Sequence, residues 1–189
     1  MALEHAILMS LEERSGTGYE LTRRFENSIG FFWKATHQQI YRTLKRMVEQ
    51  GWVHCDQVAQ QGKPDKKLYQ VSDGGHAELQ RWLAEPGDPA TLRHELALKV
   101  RGASLGDLDD VLDEIVRHRD RHAERLDTYR VIEKRDFPDA HHLSGQSLHH
   151  YLVLRGGIRL EQGLVDWCEE MLNALRSDQS RTPGENTPR

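Results

Sequence analysis

Apolar positions recur along most of the chain at helical spacing, broken once by a stretch that alternates. Leu3, Ala6, Ile7, Leu8 and Leu11 share one side of Ala2 to Arg14, with Glu4, Glu12 and Glu13 elsewhere, so an amphipathic helix is predicted that stops at Ser15-Gly16. Thr17-Gly18-Tyr19-Glu20 has the spacing of a capping box and opens a second short helix on Tyr19, Leu21 and Phe25, expected to fail around Ser28-Ile29-Gly30. Thr36-His37-Gln38-Gln39 repeats the box and starts a helix from His37 to about Gln50. Ile40, Leu44, Met47 and Val48 form its apolar stripe, and Gly51 suits a left-handed C-cap. Two partly alternating runs follow, Trp52 to Val58 and Lys67 to Ser72, around a Gly62-Lys63-Pro64 tip, which predicts a β-hairpin with a long loop. Ser72 can cap a further helix through Ala77, Leu79, Trp82 and Leu83, ended by Glu85-Pro86-Gly87-Asp88-Pro89.

Beyond this hinge, Leu92 to Val100 reads as a short apolar helix, and Ser104 is placed to cap a long one from Leu105 to about Lys134. Positions 108, 112, 115, 119, 122, 126, 129 and 133 alternate steps of four and three, the spacing of a helix–helix seam. They hold Leu, Leu, Ile, Arg, His, Leu, Tyr and Glu, so the seam is polar at Arg119 and His122. Asp136-Phe137-Pro138-Asp139 breaks the helix, and a last one is expected from about Leu148 to Leu175. The expected organisation is three parts: 1–86, 87–176, and a disordered tail at 177–189 without large apolar residues. The fold class is mainly α. Helix, helix, helix, hairpin, helix is the order of a winged helix-turn-helix, here followed by a C-terminal α-helical domain.

Composition narrows the function. The 189 residues carry 26 Lys+Arg against 30 Asp+Glu, a formal charge of −4, but the distribution is uneven. Between 34 and 67, Lys34, Arg42, Lys45, Arg46, Lys63, Lys66 and Lys67 face only Glu49, Asp56 and Asp65. A confined basic face on a mildly acidic chain suits a local polyanion contact and argues against indiscriminate coating of nucleic acid. No apolar run approaches the roughly 18 residues of a membrane span, and no secretory leader is recognisable, so a cytoplasmic protein without a membrane partner is expected. Cys55 and Cys168 make no disulfide framework.

Gly18-Tyr19-Glu20-Leu21, the run Ile40-Tyr41-Arg42-Thr43-Leu44-Lys45-Arg46-Met47 leading into Glu49-Gln50-Gly51-Trp52-Val53, and Lys67-Leu68-Tyr69-Gln70-Val71-Ser72-Asp73-Gly74-Gly75 together resemble the PadR family of bacterial transcriptional regulators. The stretch from Gly157-Ile158 to Trp167 resembles the C-terminal domain of the longer PadR subgroup. The resemblance implies a homodimeric winged-helix repressor that binds a palindromic operator on double-stranded DNA, pairs through its C-terminal helices and is released by a small aromatic effector. It also implies that Tyr41 contacts the DNA backbone and that the hairpin is the wing. The chain departs from the usual pattern at Thr36-His37-Gln38-Gln39 and at Arg42, where Pro is common, and this bears on the operator sequence.

The residues make their own case. Gln38 and Gln39 can pair bidentately with adenine in a major groove, and Arg42 with guanine. Lys34, Lys45, Lys63, Lys66 and Lys67 suit phosphates, and Thr36 and Arg46 complete the expected DNA-binding set with Tyr41. Glu114, His118 and His122 share a helical face, yet no Cys lies near and no His-Glu-x-x-His occurs, so no metal is expected. No nucleophile elbow, phosphate loop or Cys-x-x-Cys is present, so neither enzymatic activity nor a cofactor is expected. Trp82, Tyr129, Phe137, Tyr151 and Trp167 are candidate pocket rings, but ordinary core or interface packing is the favoured account of each. Two other classes remain open: a small-molecule or metal-sensing helical dimer without specific DNA binding, and a protein–protein adaptor using the long seam.

Overall fold

The computed structural model describes residues 2–27, 35–58, 66–87 and 94–181. The chain divides into two compact units, Met1–Pro89 and Ala90–Arg189. The first contains α1 (Ala2–Glu13), β1 (Gly16–Thr17), α2 (Gly18–Asn27), α3 (His37–Glu49), β2 (Val53–Val58), β3 (Lys66–Val71) and α4 (Asp73–Ala84). The second contains α5 (Glu95–Arg101), α6 (Leu108–Asp136) and α7 (Gly145–Arg181), with short 3-10 turns at Ala103–Leu105 and Ala140–His142.

In the first unit, Ile7, Leu8 and Leu11 of α1, Leu21 and Phe25 of α2, and Ile40, Leu44 and Met47 of α3 close one core with Val53 and Leu79. Removing such side chains from water is the dominant favourable contribution to folding. Both expected capping boxes form. Thr17 N donates to Glu20 Oε2 at 2.8 Å and Glu20 N to Thr17 Oγ1 at 3.2 Å. The same Thr17 backbone bond, and Arg24 and Lys66 nearby, hold the Glu20 carboxyl below its usual range. The stripe of α3 differs from expectation by one residue: Thr43 is buried and Val48 is exposed, because the face toward the core is centred on 40, 44 and 47.

A third strand was not foreseen. Gly16–Thr17 pairs antiparallel with β3, Gly16 opposite Tyr69 and Thr17 opposite Leu68, giving the order β1-β3-β2. Arg24 closes the C-terminal end of α1 and the turn after it: its Nη1 donates to Ser10 O at 2.9 Å and also to Arg14 O, while Nη2 donates to Ser15 O at 2.9 Å.

The turn from α3 into β2 meets the start of α4. Gly51 has φ +73°, and Trp52 N donates to Met47 O at 2.9 Å. Ser72 N donates to Trp52 O at 3.0 Å, Ser72 Oγ donates to Gly51 O, and Gly75 N donates to Ser72 Oγ at 3.1 Å. A Cβ on Gly75 would lie 2.2 Å from Trp52 O. On α4, Leu79 is buried but Ala77 and Leu83 are exposed, so its apolar face is narrower than expected. His5 of α1 stacks on Trp82, with ring centroids 4.5 Å apart, and its Nε2 lies 2.9 Å from Glu78 Oε1.

In the second unit, α6 and α7 run antiparallel. Leu112 and Ile115 pack with Cys168, Met171 and Leu172 at one end, and Glu133 meets Tyr151 and Arg155 toward the other. The helix starts differ from expectation. Ser104 lies in the 3-10 turn, and Asp107 caps α6 instead, accepting from Asp109 N at 2.9 Å. The short helix expected from Leu92 begins at Glu95, and Leu92 itself lies outside the described residues. The last helix continues to Arg181, so 177–181 belong to it rather than to a disordered tail, and 182–189 lie outside the described residues. Of the polar seam positions, His122 and Glu133 are matched across the pair, while Arg119 pairs with Asp120 of its own helix. Buried Glu161 lies 2.5 Å from His122 Nδ1 and accepts from Arg125 Nη1 at 2.9 Å, while Arg155 Nη1 donates to Glu133 Oε1 at 3.0 Å.

Two outcomes are expected. Gly75→Ala forces a methyl into a backbone carbonyl and should cost about 3 kcal/mol or more in urea unfolding, whereas Gly87→Ala, with open space around it, should stay within about 0.5 kcal/mol. Glu78 is lowered to about 2 by hydrogen bonds from Arg81 and then His5, and Glu114 to about 2 by Arg117 and Lys99. Their folded-state values lie below the unfolded ones. The stabilisation is therefore complete above the ordinary carboxylate range and lost as pH falls from there toward about 2. Urea melts across that window should show a shallower slope of stability against pH for Glu78→Gln than for the parent chain.

Candidate nucleic-acid interface

The surface that matters is built on α3. Thr36 N donates to Gln39 Oε1 at 2.8 Å and Gln39 N to Thr36 Oγ1 at 3.2 Å, so the first turn is closed by its own side chains. With Ile40, Thr43, Leu44 and Met47 turned to the core, Gln38, Gln39, Tyr41, Arg42, Lys45 and Arg46 are left on the exposed side. The first turn presents no acidic side chain.

These residues are not equivalent. Gln38 and Arg42 are exposed and make no hydrogen bond or ion pair among the described residues. Gln39 has its side-chain oxygen turned back to the cap, which leaves only the amide NH₂ to point outward, so the bidentate adenine pairing expected of it is not available in this geometry. Thr36 is likewise the cap. Arg46 reaches back to Glu4 of α1, a buried carboxylate, and this pair is part of the scaffold rather than an outward charge. Lys45 stays exposed, its Nζ 4.0 Å from Glu49 Oε1, a weak surface pair.

Tyr41 is half exposed, and its position depends on a neighbour. A Cβ at Gly18 would come within 2.4 Å of the Tyr41 ring, so the absence of a side chain at the start of α2 is what lets the ring lie there. Beside it on α2, Arg23 Nη1 donates to the exposed Tyr19 hydroxyl at 3.3 Å. His37, the first residue of α3, has Nε2 3.0 Å from Glu26 Oε1. Neither His37 nor the Tyr19–Arg23 pair was singled out from the sequence. The available signal was position, since the first residue after a cap and the first turn of the preceding helix lie next to the exposed face of α3.

The hairpin pairs Val53 with Val71 through to Val58 with Lys66. Cys55 stands opposite Tyr69; burial first, then the Cys55 thiol, pushes the Tyr69 hydroxyl above its ordinary value. Alternation puts Lys66 and Lys67 on opposite faces of the ribbon, both exposed. Lys34 and Lys63 lie outside the described residues.

The other candidates resolve differently. His118 Nε2 is 3.5 Å from Glu114 Oε1, but His122 turns to Glu161, so the three residues do not converge. Among the described residues no group of three or more His, Cys, Asp or Glu could hold a metal ion. The five aromatics are dispersed. Trp82 stacks on His5, Tyr129 covers Gly157, Phe137 lies 5.4 Å from Tyr151, and Trp167 meets His94 edge-on. No helix among the described residues is long and apolar enough to cross a membrane.

Three helices, a short sheet with a two-stranded wing, and a cation-bearing third helix define a winged helix-turn-helix protein. Residues 7–81 match the model of the transcriptional regulator PadR-like family, and residues 92–176 match that of the virulence activator alpha C-terminal domain. The chain is 50% identical over 186 residues to the probable transcriptional regulator Rv1176c of Mycobacterium tuberculosis, covering 93% of this chain and 98% of that one. It is 30% identical to the negative transcriptional regulator PadR of Bacillus subtilis, again over 93% and 98%. The crystal structure of Bacillus subtilis PadR in complex with operator DNA superposes with TM-score 0.81 at 29% identity, over 92% of this chain and 97% of that one. The same protein in complex with p-coumaric acid gives 0.73 at 27% identity, over 92% and 95%. The Vibrio cholerae virulence activator AphA gives 0.78 at 30% identity, over 93% and 98%. The chain belongs to the PadR family of transcriptional regulators and is a DNA-binding winged-helix protein.

The two arginines of α3 should separate in stability measurements. Arg46→Ala removes one of the partners of buried Glu4 and should cost about 1 kcal/mol, discounted because the guanidinium is half exposed. Arg42→Ala should stay within about 0.5 kcal/mol of the parent chain in urea unfolding.

Proposed function

We propose that this regulator is a repressor that binds a palindromic operator as a homodimer and is released by a small aromatic effector. The carrying observation is the outer face of α3, where Gln38 and Arg42 stand exposed and unpaired on a helix whose cap and inward stripe are already satisfied. On this reading Gln38 and Arg42 read base edges, since a glutamine can pair with adenine and an arginine with guanine through two bonds each. Tyr41, Lys45, Lys66 and Lys67, with Lys34 and Lys63, contact phosphates, which set position rather than sequence. Thr36, Gln39 and Arg46 hold the helix in place.

The sign of regulation and the effector class rest on relatives: one is named a negative regulator, and the same protein was solved with p-coumaric acid. Support for the homodimer comes from α7, whose Leu152, Val153 and Leu160 are exposed in the single chain beside Gly156 and Gly163, around which there is open space. A two-fold pair would present two copies of α3 to successive major grooves about 34 Å apart. Residues 1–86 would then be the DNA-binding domain and 87–176 the dimerisation and effector domain of a cytoplasmic protein without enzymatic activity.

The test is a titration of labelled duplex from the gene's own promoter against a scrambled duplex at two salt concentrations. Tight promoter binding that weakens with salt, with poor binding to the scrambled duplex, is expected; no binding at low salt would favour a ligand-sensing dimer instead. Within this assay Arg42→Ala should lose discrimination equivalent to about 1–3 kcal/mol. Lys66→Ala should weaken both duplexes and reduce the salt slope by about 1. Unchanged specificity in Arg42→Ala would remove it from the reading set.

A further inference from the structure

The helical unit contains a row of three imidazoles that DNA recognition does not use. His94 immediately precedes α5, and its ring centroid is 6.0 Å from that of His118 on α6, which is 6.2 Å from that of His122. On its other side His94 meets the Trp167 ring of α7 edge-on, with centroids 5.2 Å apart and planes at 85°. The three histidines differ in what could balance a proton. His122 Nδ1 lies 2.5 Å from Glu161 Oε2, and His118 Nε2 lies 3.5 Å from Glu114 Oε1. His94 has no such partner: its Nδ1 is buried from solvent and has no hydrogen-bond partner among the described residues.

We propose that His94 is an acid-sensitive latch, which seats α5 on the α6–α7 pair while its ring is neutral and releases α5 when the ring takes a proton. Neutral, the ring carries no charge and can leave Nδ1 unprotonated against the Trp167 edge, two residues ahead of Leu96, the buried anchor of α5 packed with Leu112, Ile115 and Leu172. Protonated, its buried Nδ1–H would need an acceptor, and none lies within hydrogen-bond distance among the described residues. The neighbouring carboxylates are already engaged. Glu114 on α6 takes Lys99 of α5 and Arg117 as well as His118, and Glu161 on α7 takes Arg125 and His122. The ionisable groups whose charge reaches His94 are the two other imidazoles, which add repulsion if they are charged. Burial, then His118 and His122, hold the His94 ring below the ordinary histidine range. The folded value is therefore below the unfolded one, so docking is complete above about pH 6.5 and lost as pH falls below it. The side chain of His94 makes no cap bond to α5, so replacing it removes no helix cap. Because α5 is the helix by which the chain enters this unit, its release would lengthen the segment that joins the unit to the DNA-binding one.

The experiment is amide hydrogen exchange on the full chain at about pH 7.5 and about pH 5.5, corrected for intrinsic rates and comparing the parent with His94→Phe. In the parent, protection of the α5 amides Leu98–Arg101 should fall by about threefold to tenfold at the lower pH, tenfold being about the most that one histidine can supply over this interval, while α3 amides keep theirs. In His94→Phe, which keeps a ring against Trp167 but cannot be charged, α5 protection should be the same at both. An equal loss in His94→Phe, or full protection of α5 in the parent at the lower pH, overturns the proposal. Should the variant misfold, the parent alone decides by NMR: the His94 ring must titrate with the midpoint at which α5 protection is lost, and titration of the ring with α5 still docked refutes the latch.

Discussion

The winged-helix unit depends on one close approach, the carbonyl of Trp52 against Gly75 at the start of α4. That carbonyl accepts from Ser72 N, and the neighbouring Gly51 carbonyl accepts from the Ser72 hydroxyl, which in turn caps α4. Four elements end or begin within these few residues: α3, β2, β3 and α4. The left-handed Gly51 turns the chain out of α3, and Gly74 and Gly75 let the first turn of α4 lie directly on that turn. The wing is thereby tied to the C-terminal end of α3 through backbone groups and the Ser72 hydroxyl, and the relation between helix and hairpin is set without using the outward residues of either.

In the helical unit the corresponding constraint is register. Two long antiparallel helices with apolar seams can slide by a turn at modest cost, and polar positions within the seam prevent it. Glu161 finds His122 and Arg125 together; moved one turn along α6 in one direction, it would face Leu126 and Tyr129. Gly157 adds a steric condition, because the Tyr129 ring occupies the space a Cβ would need. A buried ion pair is weak as a source of stability, since desolvation cancels most of the attraction. Here its effect is discrimination between alignments.

These constraints were unequally legible in the sequence. The boxes Thr17–Glu20 and Thr36–Gln39, the cap at Ser72 and the turn at Gly51 are local, and each was readable because the side chain and the amide it satisfies lie within three residues. The strand Gly16–Thr17 was not readable: two residues carry no alternation, and their partners on β3 lie some fifty positions away. Ser104 and Asp107 are both competent caps. The seam begins at Leu108 and acidic Asp109 and Asp110 follow, which suits the positive end of a helix, so Asp107 was the better choice and the signal was present. The internal role of Arg46 was hidden because Glu4 is 42 positions away, and on the helix surface Arg46 and Arg42 look alike.

That last difference bears on how the exposed face of α3 divides between fold and readout. A helix placed in a groove must hold its own geometry, and Thr36, Gln39 and Arg46 do so from the same side that DNA would approach. Their polar groups are already engaged, so using them on bases would cost the bonds they make now. Gln38 and Arg42 carry no such obligation, and on the proposed reading they can change with the operator while cap, core stripe and junction stay as they are. Tyr41 is intermediate. Its ring is seated by Gly18 on the scaffold side and half exposed on the other, so a contact through its hydroxyl would transmit the position of α2 to the DNA backbone. On that reading the separation would let one winged-helix scaffold serve different operators: the residues that fix its shape and those left to read sequence share a helix face but not hydrogen bonds.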